Sequence, residues 1–156
     1  MRSIETSIDI KAPLERVWAI LSDTAAYPGW NQVILRLDGE WKLGGRLLLV
    51  IQPPGHRATT FRPLIQDFRP GQLIRWRGRL PDVPGLFQGI HEFRLEPLPE
   101  GRTRFHHVER FSGILVPLLG GTLRDTERGY LAMNEALKAR AEAGPVTAGD
   151  TSAAKH

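Results

Sequence analysis

Ala12-Pro13-Leu14-Glu15-Arg16-Val17-Trp18-Ala19-Ile20-Leu21-Ser22-Asp23-Thr24-Ala25-Ala26-Tyr27-Pro28-Gly29-Trp30-Asn31 is the stretch on which the fold turns. Pro13 suits the first position of a helix, where its missing N–H costs nothing. Glu15 favours the positive end of the helix dipole. Val17, Trp18 and Leu21 then make one apolar helical face. Asp23 is placed to cap a second short helix over Thr24 to Tyr27, which Pro28-Gly29 stops. Before this pair, Ser3 to Ile10 alternates, with Ile4, Thr6, Ile8 and Ile10 on one side and Glu5 and Asp9 on the other, the pattern of a half-buried strand.

After the pair come strand signals only. They run over Val33 to Leu37, Arg46 to Gln52, Thr59 to Phe68, Gln72 to Leu80, Phe87 to Glu96 and Arg102 to Phe111. Pro53-Pro54-Gly55, Pro70-Gly71 and the run Pro97 to Gly101 separate them, and Pro81 to Leu86 reads as a loop. From about Leu118 to Ala143 the period becomes helical: Leu119, Leu123, Tyr130, Asn134 and Leu137 share a stripe, with Met133 at its edge. Gly120-Gly121 reads as the helix entry, and Gly129 as a point of close packing or room for a ligand. The expected architecture is α+β: an antiparallel sheet of six to seven strands wrapped around a long C-terminal helix, with two short helices after the first strand. One domain is expected over residues 1–143, followed by a small, polar, flexible tail over 144–156.

Composition narrows the function. The absence of cysteine removes disulfides, thiolate catalysis and cysteine-bound zinc. No apolar run reaches the roughly 20 residues that span a bilayer, and the first residues carry no apolar signal region, so a cytoplasmic protein is expected. The net charge is +4, but the arginines are spread from Arg2 to Arg140 and alternate with apolar residues on strands. No basic stripe forms, and no nucleic acid is expected as a partner. Phosphate loops, a serine nucleophile elbow and the HExxH zinc motif are all missing, and no cofactor or metal is expected. The sequence leaves the oligomeric state open.

Three segments give the chain a known look. They are Pro13 and Val17-Trp18-Ala19-Ile20-Leu21-Ser22-Asp23 followed by Tyr27-Pro28-Gly29-Trp30-Asn31; Leu73-Ile74-Arg75-Trp76-Arg77-Gly78 after Pro70; and Glu109-Arg110-Phe111-Ser112-Gly113 leading into the last helix. With the element order, they make the chain resemble the SRPBCC superfamily over residues 1 to about 143. That superfamily includes START-like lipid-binding domains, birch-pollen-allergen-like proteins and the polyketide cyclase/dehydrase group. The resemblance implies a helix-grip fold with a cavity between sheet and last helix.

The last two strands should form a hairpin. With its turn near Pro99, facing residues have numbers summing to about 198, within about two residues. His91 then meets His107, Phe93 meets Phe105, Leu95 meets Thr103 and Glu109 meets Gly89, all on the apolar inner face. His91, His107 and Glu109 are the candidate catalytic residues, since an inner His–His–Glu set suits general acid/base work. Two other readings of the same cluster stand beside it: mutual satisfaction of buried polarity, or ligation of a metal. Trp30, Trp76, Phe93, Phe105, Phe111, Leu123, Tyr130 and Asn134 are the candidate ligand-binding residues. Trp18 and Trp76 also read as core, and Tyr130 and Asn134 as either cavity groups or rim packing.

Three functions follow. The first is binding of a small hydrophobic or amphipathic molecule: a lipid, a polyketide-like or an aromatic compound. The second is a cyclase, aromatase or dehydratase, as the resemblance implies, with His91, His107 and Glu109 moving protons. The third is docking of a protein or membrane through an outer patch of Arg75, Arg77, Arg79, Arg94 and Arg104, or through the loop Pro81 to Leu86.

Overall fold

The computed structural model describes residues 2–80 and 84–143. Eight strands and two α-helices follow in the order β1 (Arg2–Ile10), α1 (Leu14–Ser22), β2 (Ile34–Asp38), β3 (Leu48–Ile51), β4 (Thr59–Phe61), β5 (Leu64–Arg69), β6 (Leu73–Arg79), β7 (Gln88–Leu98), β8 (Arg102–Ser112) and α2 (Gly120–Glu142). A five-stranded antiparallel sheet runs β1-β8-β7-β6-β5, and a three-stranded sheet runs β2-β3-β4. With α2 laid across the inner face, this is the helix-grip architecture. The expected tail at 144–156 and the start of the loop Pro81 to Leu86 lie outside the described residues.

The segment Thr59 to Phe68, expected as one strand, is two, which raises the count to eight. Pro63 has no N–H to give a ladder, so pairing stops there. Phe61 pairs with Leu49 in one sheet, and Ile65 pairs with Trp76 in the other. The break is bridged from the side: Leu47 N donates to Pro63 O at 2.9 Å, and Ile65 N to Gly45 O at 2.9 Å. The two sheets therefore form one curved wall with a seam.

The helices depart from expectation in detail. Pro13 is the residue before α1 rather than its first, in an extended conformation (φ −69°, ψ 156°). The second short helix is a 3₁₀ turn over Thr24–Gly29, and the Asp23 side chain makes no capping bond there. A further 3₁₀ turn, Val116–Leu119, leads into α2. On α2 the buried stripe is Leu123, Thr126, Gly129, Tyr130, Met133, Asn134, Leu137 and Ala141. Gly129 marks close packing: a Cβ there would lie 2.9 Å from Val33 Cγ2 and 3.1 Å from Pro54 Cδ. Trp76 is core as expected, whereas Trp18 is only half-buried. Trp18 packs against the core's flank in a cluster with Trp41 and Phe68, at ring-centre distances of 5.5 and 6.2 Å.

The β7–β8 hairpin is slipped by two residues from the expected register: Phe93 faces His107, His91 faces Glu109, Leu95 faces Phe105 and Gly89 faces Phe111. The turn is a 3₁₀ turn over Pro99–Gly101, with Glu100 at φ 65°, so its centre lies beyond Pro99. A two-residue slip returns every side chain to the same face. On the outer face the same slip sets Arg94 opposite His106 and Glu96 opposite Arg104, whereas facing numbers summing to about 198 would have set Arg94 against Arg104. The outer arginines are largely engaged. Arg75 Nη2 lies 2.6 Å from Glu92, Arg94 Nε 3.6 Å from Glu92, and Arg104 Nε 2.7 Å from Asp9. Arg77 and Arg79 form no ion pair among the described residues. No helix among the described residues is long and apolar enough to cross a membrane.

Candidate functional site

The inner faces of β1, β7 and β8 and the buried stripe of α2 bring Thr6, His91, His107, Glu109, Tyr130 and Asn134 together. His91 and His107 are fully buried, and so are Tyr130 and Asn134. Their hydrogen bonds form one chain whose directions follow from a single fixed donor. The Thr6 hydroxyl donates to the His107 backbone carbonyl at 2.8 Å. Having spent its proton, Thr6 Oγ1 accepts from Asn134 Nδ2 at 2.8 Å. That orients the Asn134 amide, whose Oδ1 then accepts from His107 Nδ1–H at 2.9 Å. Burial, with His91 beside it, holds the His107 pKa well below the usual histidine range against the opposing Asn134 bond. His107 is therefore neutral, and its bare Nε2 accepts from His91 Nε2–H at 2.9 Å.

The other end of the chain is His91 Nδ1, 2.9 Å from Glu109 Oε1. The Tyr130 hydroxyl also donates to that oxygen. Burial, and the negative charge of Glu109, push the Tyr130 pKa well above its usual value, so the phenol keeps its proton. A hydrogen bond between His91 Nδ1 and Glu109 Oε1 needs one shared proton, carried either by the imidazole or by the carboxyl group. Aromatic contacts hold the rings in place. Trp76 stacks on His91 with ring centres 4.7 Å apart and planes at 14°, and Tyr130 stacks on His107 at 4.2 Å and 26°.

Two small cavities meet at this cluster. One, of about 40 Å³, is lined by Leu49, Trp76, Gly89 and His91 among others; the second, of about 130 Å³, by Pro53, Phe111, Leu123 and Tyr130 among others. Both are lined by Ile51, Phe61, Phe87 and Glu109, so Glu109 is the one polar residue they share. Its Oε2 lies over Gly89, in the space a Cβ there would need. Gly89 is thus what lets the carboxylate reach the cavity wall. At the outer end, the segment between β3 and β4 is tied to α2 where His56 Nε2 meets Asp125 Oδ2 at 2.8 Å.

The structure brings His91, His107, Glu109, Tyr130 and Asn134 into one network and sets Trp76, Phe111, Leu123 and Tyr130 on cavity walls. It does not bring Phe93, Phe105, Asn134 or Trp30 to either of these cavities. Phe93 and Phe105 are fully buried core, with ring centres 5.5 Å apart. Trp30 packs edge-on against Tyr27 at 5.1 Å, away from the cluster. Two kinds of residue were missed. Thr6 was visible as the one polar member of the inner row Ile4, Thr6, Ile8, Ile10. Ile51, Phe61 and Phe87 were visible only as apolar strand ends. Among the described residues, no three histidine, aspartate or glutamate groups are arranged to hold a metal ion.

The family model described as polyketide cyclase / dehydrase and lipid transport matches residues 1–142. No curated protein matches the chain in sequence. Among solved structures, the Zhui aromatase/cyclase from Streptomyces sp. R1128 is similar at TM-score 0.72 and 20% identity, over 90% of this chain and 93% of that one. A START superfamily protein from Mycobacterium smegmatis is similar at TM-score 0.70 and 19% identity, over 90% and 97%. The hypothetical protein jhp0584 from Helicobacter pylori is similar at TM-score 0.72 and 16% identity, over 90% and 88%. At such identities the likeness is one of fold.

Proposed function

The chain belongs to the polyketide cyclase/dehydrase and lipid transport family, and from that premise we propose that it binds a small hydrophobic or amphipathic molecule between β3, β4, β7, β8 and α2. One observation carries this reading: two apolar cavities share walls and meet at one half-buried carboxyl group, that of Glu109. A cavity of about 130 Å³ is close to the size that holds a benzene-sized molecule when lined by aliphatic and aromatic side chains. Native mass spectrometry tests it. Protein purified from cells should carry a small-molecule mass, or take one up on addition of an alkylphenol, and Leu123→Trp, which fills the larger cavity, should abolish the adduct. Identical spectra from the two proteins, with and without added ligand, would overturn the reading.

A second reading, acid/base catalysis of the cyclase or dehydratase type, is favoured by the proton between His91 and Glu109. A proton held beside an apolar cavity suits transfer to or from a carbonyl compound. It requires that Glu109→Gln lower kcat for a carbonyl substrate, measured at saturation, by at least about 100-fold. Unchanged turnover in that variant ends it.

A further inference from the structure

Resting on the binding reading above, the hydrogen-bond directions also say what kind of polar group a ligand must bring. We infer that the cavity selects a neutral molecule bearing a hydrogen-bond donor, a phenol or alcohol O–H, and discriminates against carboxylate anions, with Glu109 Oε2 as the reading atom.

The argument is an accounting of donors and acceptors. On the polar wall, the Tyr130 hydroxyl is spent on Glu109 Oε1. His91 Nδ1 faces the same oxygen, and His91 Nε2 faces His107. The Thr126 hydroxyl donates to the Thr122 carbonyl at 2.8 Å. Glu109 Oε1 thus receives Tyr130 and His91, while Oε2 takes part in no hydrogen bond among the described residues. Oε2 is bare wherever the shared proton sits, because that proton lies on the Oε1 side. A bare carboxyl oxygen accepts and does not donate. An ether or ester oxygen arriving there would set lone pair against lone pair.

Charge adds to the selection. The His91–Glu109 pair is neutral overall in both proton placements, so a neutral ligand leaves the wall neutral. A bound carboxylate would leave one uncompensated negative charge among Ile51, Phe61, Phe87 and Phe111, where burial of an unpaired charge is costly. The remaining hydroxyls on the larger cavity, those of Thr59 and Thr122, belong to the end of β4 and the first turn of α2 rather than to the shared wall.

The test uses three ligands of one shape: 4-propylphenol, 4-propylanisole and 4-propylbenzoate, titrated into the full chain by calorimetry at pH 7.5. The phenol should bind at least about tenfold more tightly than the ether, because the ether loses the hydrogen bond to Glu109 Oε2 and sets a lone pair against it. The benzoate should bind more weakly still. In Glu109→Gln, an amide N–H₂ replaces Oε2, so the phenol's advantage over the ether should fall below about threefold and the benzoate should gain at least about tenfold. If the ether or benzoate matches the phenol on the wild-type chain, the donor rule is overturned while cavity binding stands. A phenol preference that survives intact in Glu109→Gln moves the reading atom to Thr59 or Thr122 and also overturns it. If none of the three binds, and Leu123→Trp behaves like wild type, the binding reading falls and takes this inference with it. Should Glu109→Gln fail to fold, the wild-type ranking decides by itself.

Discussion

Strands β7 and β8 carry two histidine–glutamate pairs, one on each face. On the inner face His91 meets Glu109 at 2.9 Å, with side chains 2% and 12% exposed. On the outer face His106 meets Glu96 at 3.1 Å, with side chains 20% and 42% exposed. The residue types match and the geometry is similar, yet the physics differs. Outside, water competes for both partners, and such pairs contribute little. Inside, the histidine, amide and phenol groups are each held by a named neighbour while Glu109 Oε2 alone is left open to the cavity, and removing one partner strands the next. A period of two along a strand is enough to turn one pair of residue types into a surface ion pair and a buried proton site.

The largest break expected in this contrast is on the inner face. His107→Ala removes the acceptor for His91, the donor for Asn134 and the ring stacked on Tyr130. Urea unfolding should show a loss of about 3–5 kcal/mol. The matching outer change, His106→Ala, should shift the urea midpoint far less.

Acid provides the next test. The His107 pKa in the fold is depressed, so the unfolded chain binds a proton that the folded chain refuses. Stability from this group is full above the unfolded histidine pKa of about 6.5 and falls as the pH drops below it, by up to about 1.4 kcal/mol per pH unit. The loss continues until the folded pKa is reached. The His107 imidazole signal in NMR should not titrate between pH 8 and 5.5. A histidine signal at His107 titrating near 6.5 would contradict the buried, neutral assignment.

Gly89→Ala sharpens the contrast without touching the chain's own members. The new Cβ occupies the place of Glu109 Oε2 and must displace the carboxylate. Because the displaced atom ends a flexible side chain, the stability cost should stay near 1 kcal/mol. Binding of 4-propylphenol should nevertheless weaken by at least about tenfold in calorimetry.

The smallest effect belongs to Glu96→Gln on the outer face. The bond from His106 comes first, followed by Arg104 and Arg94, in holding the Glu96 carboxyl below its usual range, so its contribution exists at neutral pH and disappears as pH falls through the lowered value. The variant should lose slightly less stability than wild type between pH 7 and 3, and 1 M salt should erase the difference.

These contrasts show why the sequence was legible in some places and not in others. The alternation of β1, β7 and β8 put Thr6, His91, His107 and Glu109 on one face, and that survived the two-residue slip because a slip of two preserves parity. The slip itself was not legible, since it depends on Glu100 adopting φ 65° within the turn, a conformation that few non-glycine residues take. The stripe of α2 placed Tyr130 and Asn134 one turn apart, but only the folded chain shows that one serves Glu109 and the other His107. Pro63 was present to mark the seam, yet the apolar run on both sides of it read as continuous. The cavity outline depends on Ile51, Phe61 and Phe87 from three separate strands or strand ends, whose convergence no local pattern encodes.

The fixed donor at Thr6 has a consequence for traffic. From His91 inward, each hydrogen points away from the cavity: His91 toward His107, His107 toward Asn134, Asn134 toward Thr6, and Thr6 into a backbone carbonyl. A peptide carbonyl has no proton to release and none to pass on, so this line of hydrogens is a cul-de-sac. Reversing it would require both rings to change tautomer and the amide to turn over together, against an anchor that cannot reverse. Among these groups the line of hydrogens is therefore open only at its cavity end, where His91 meets Glu109.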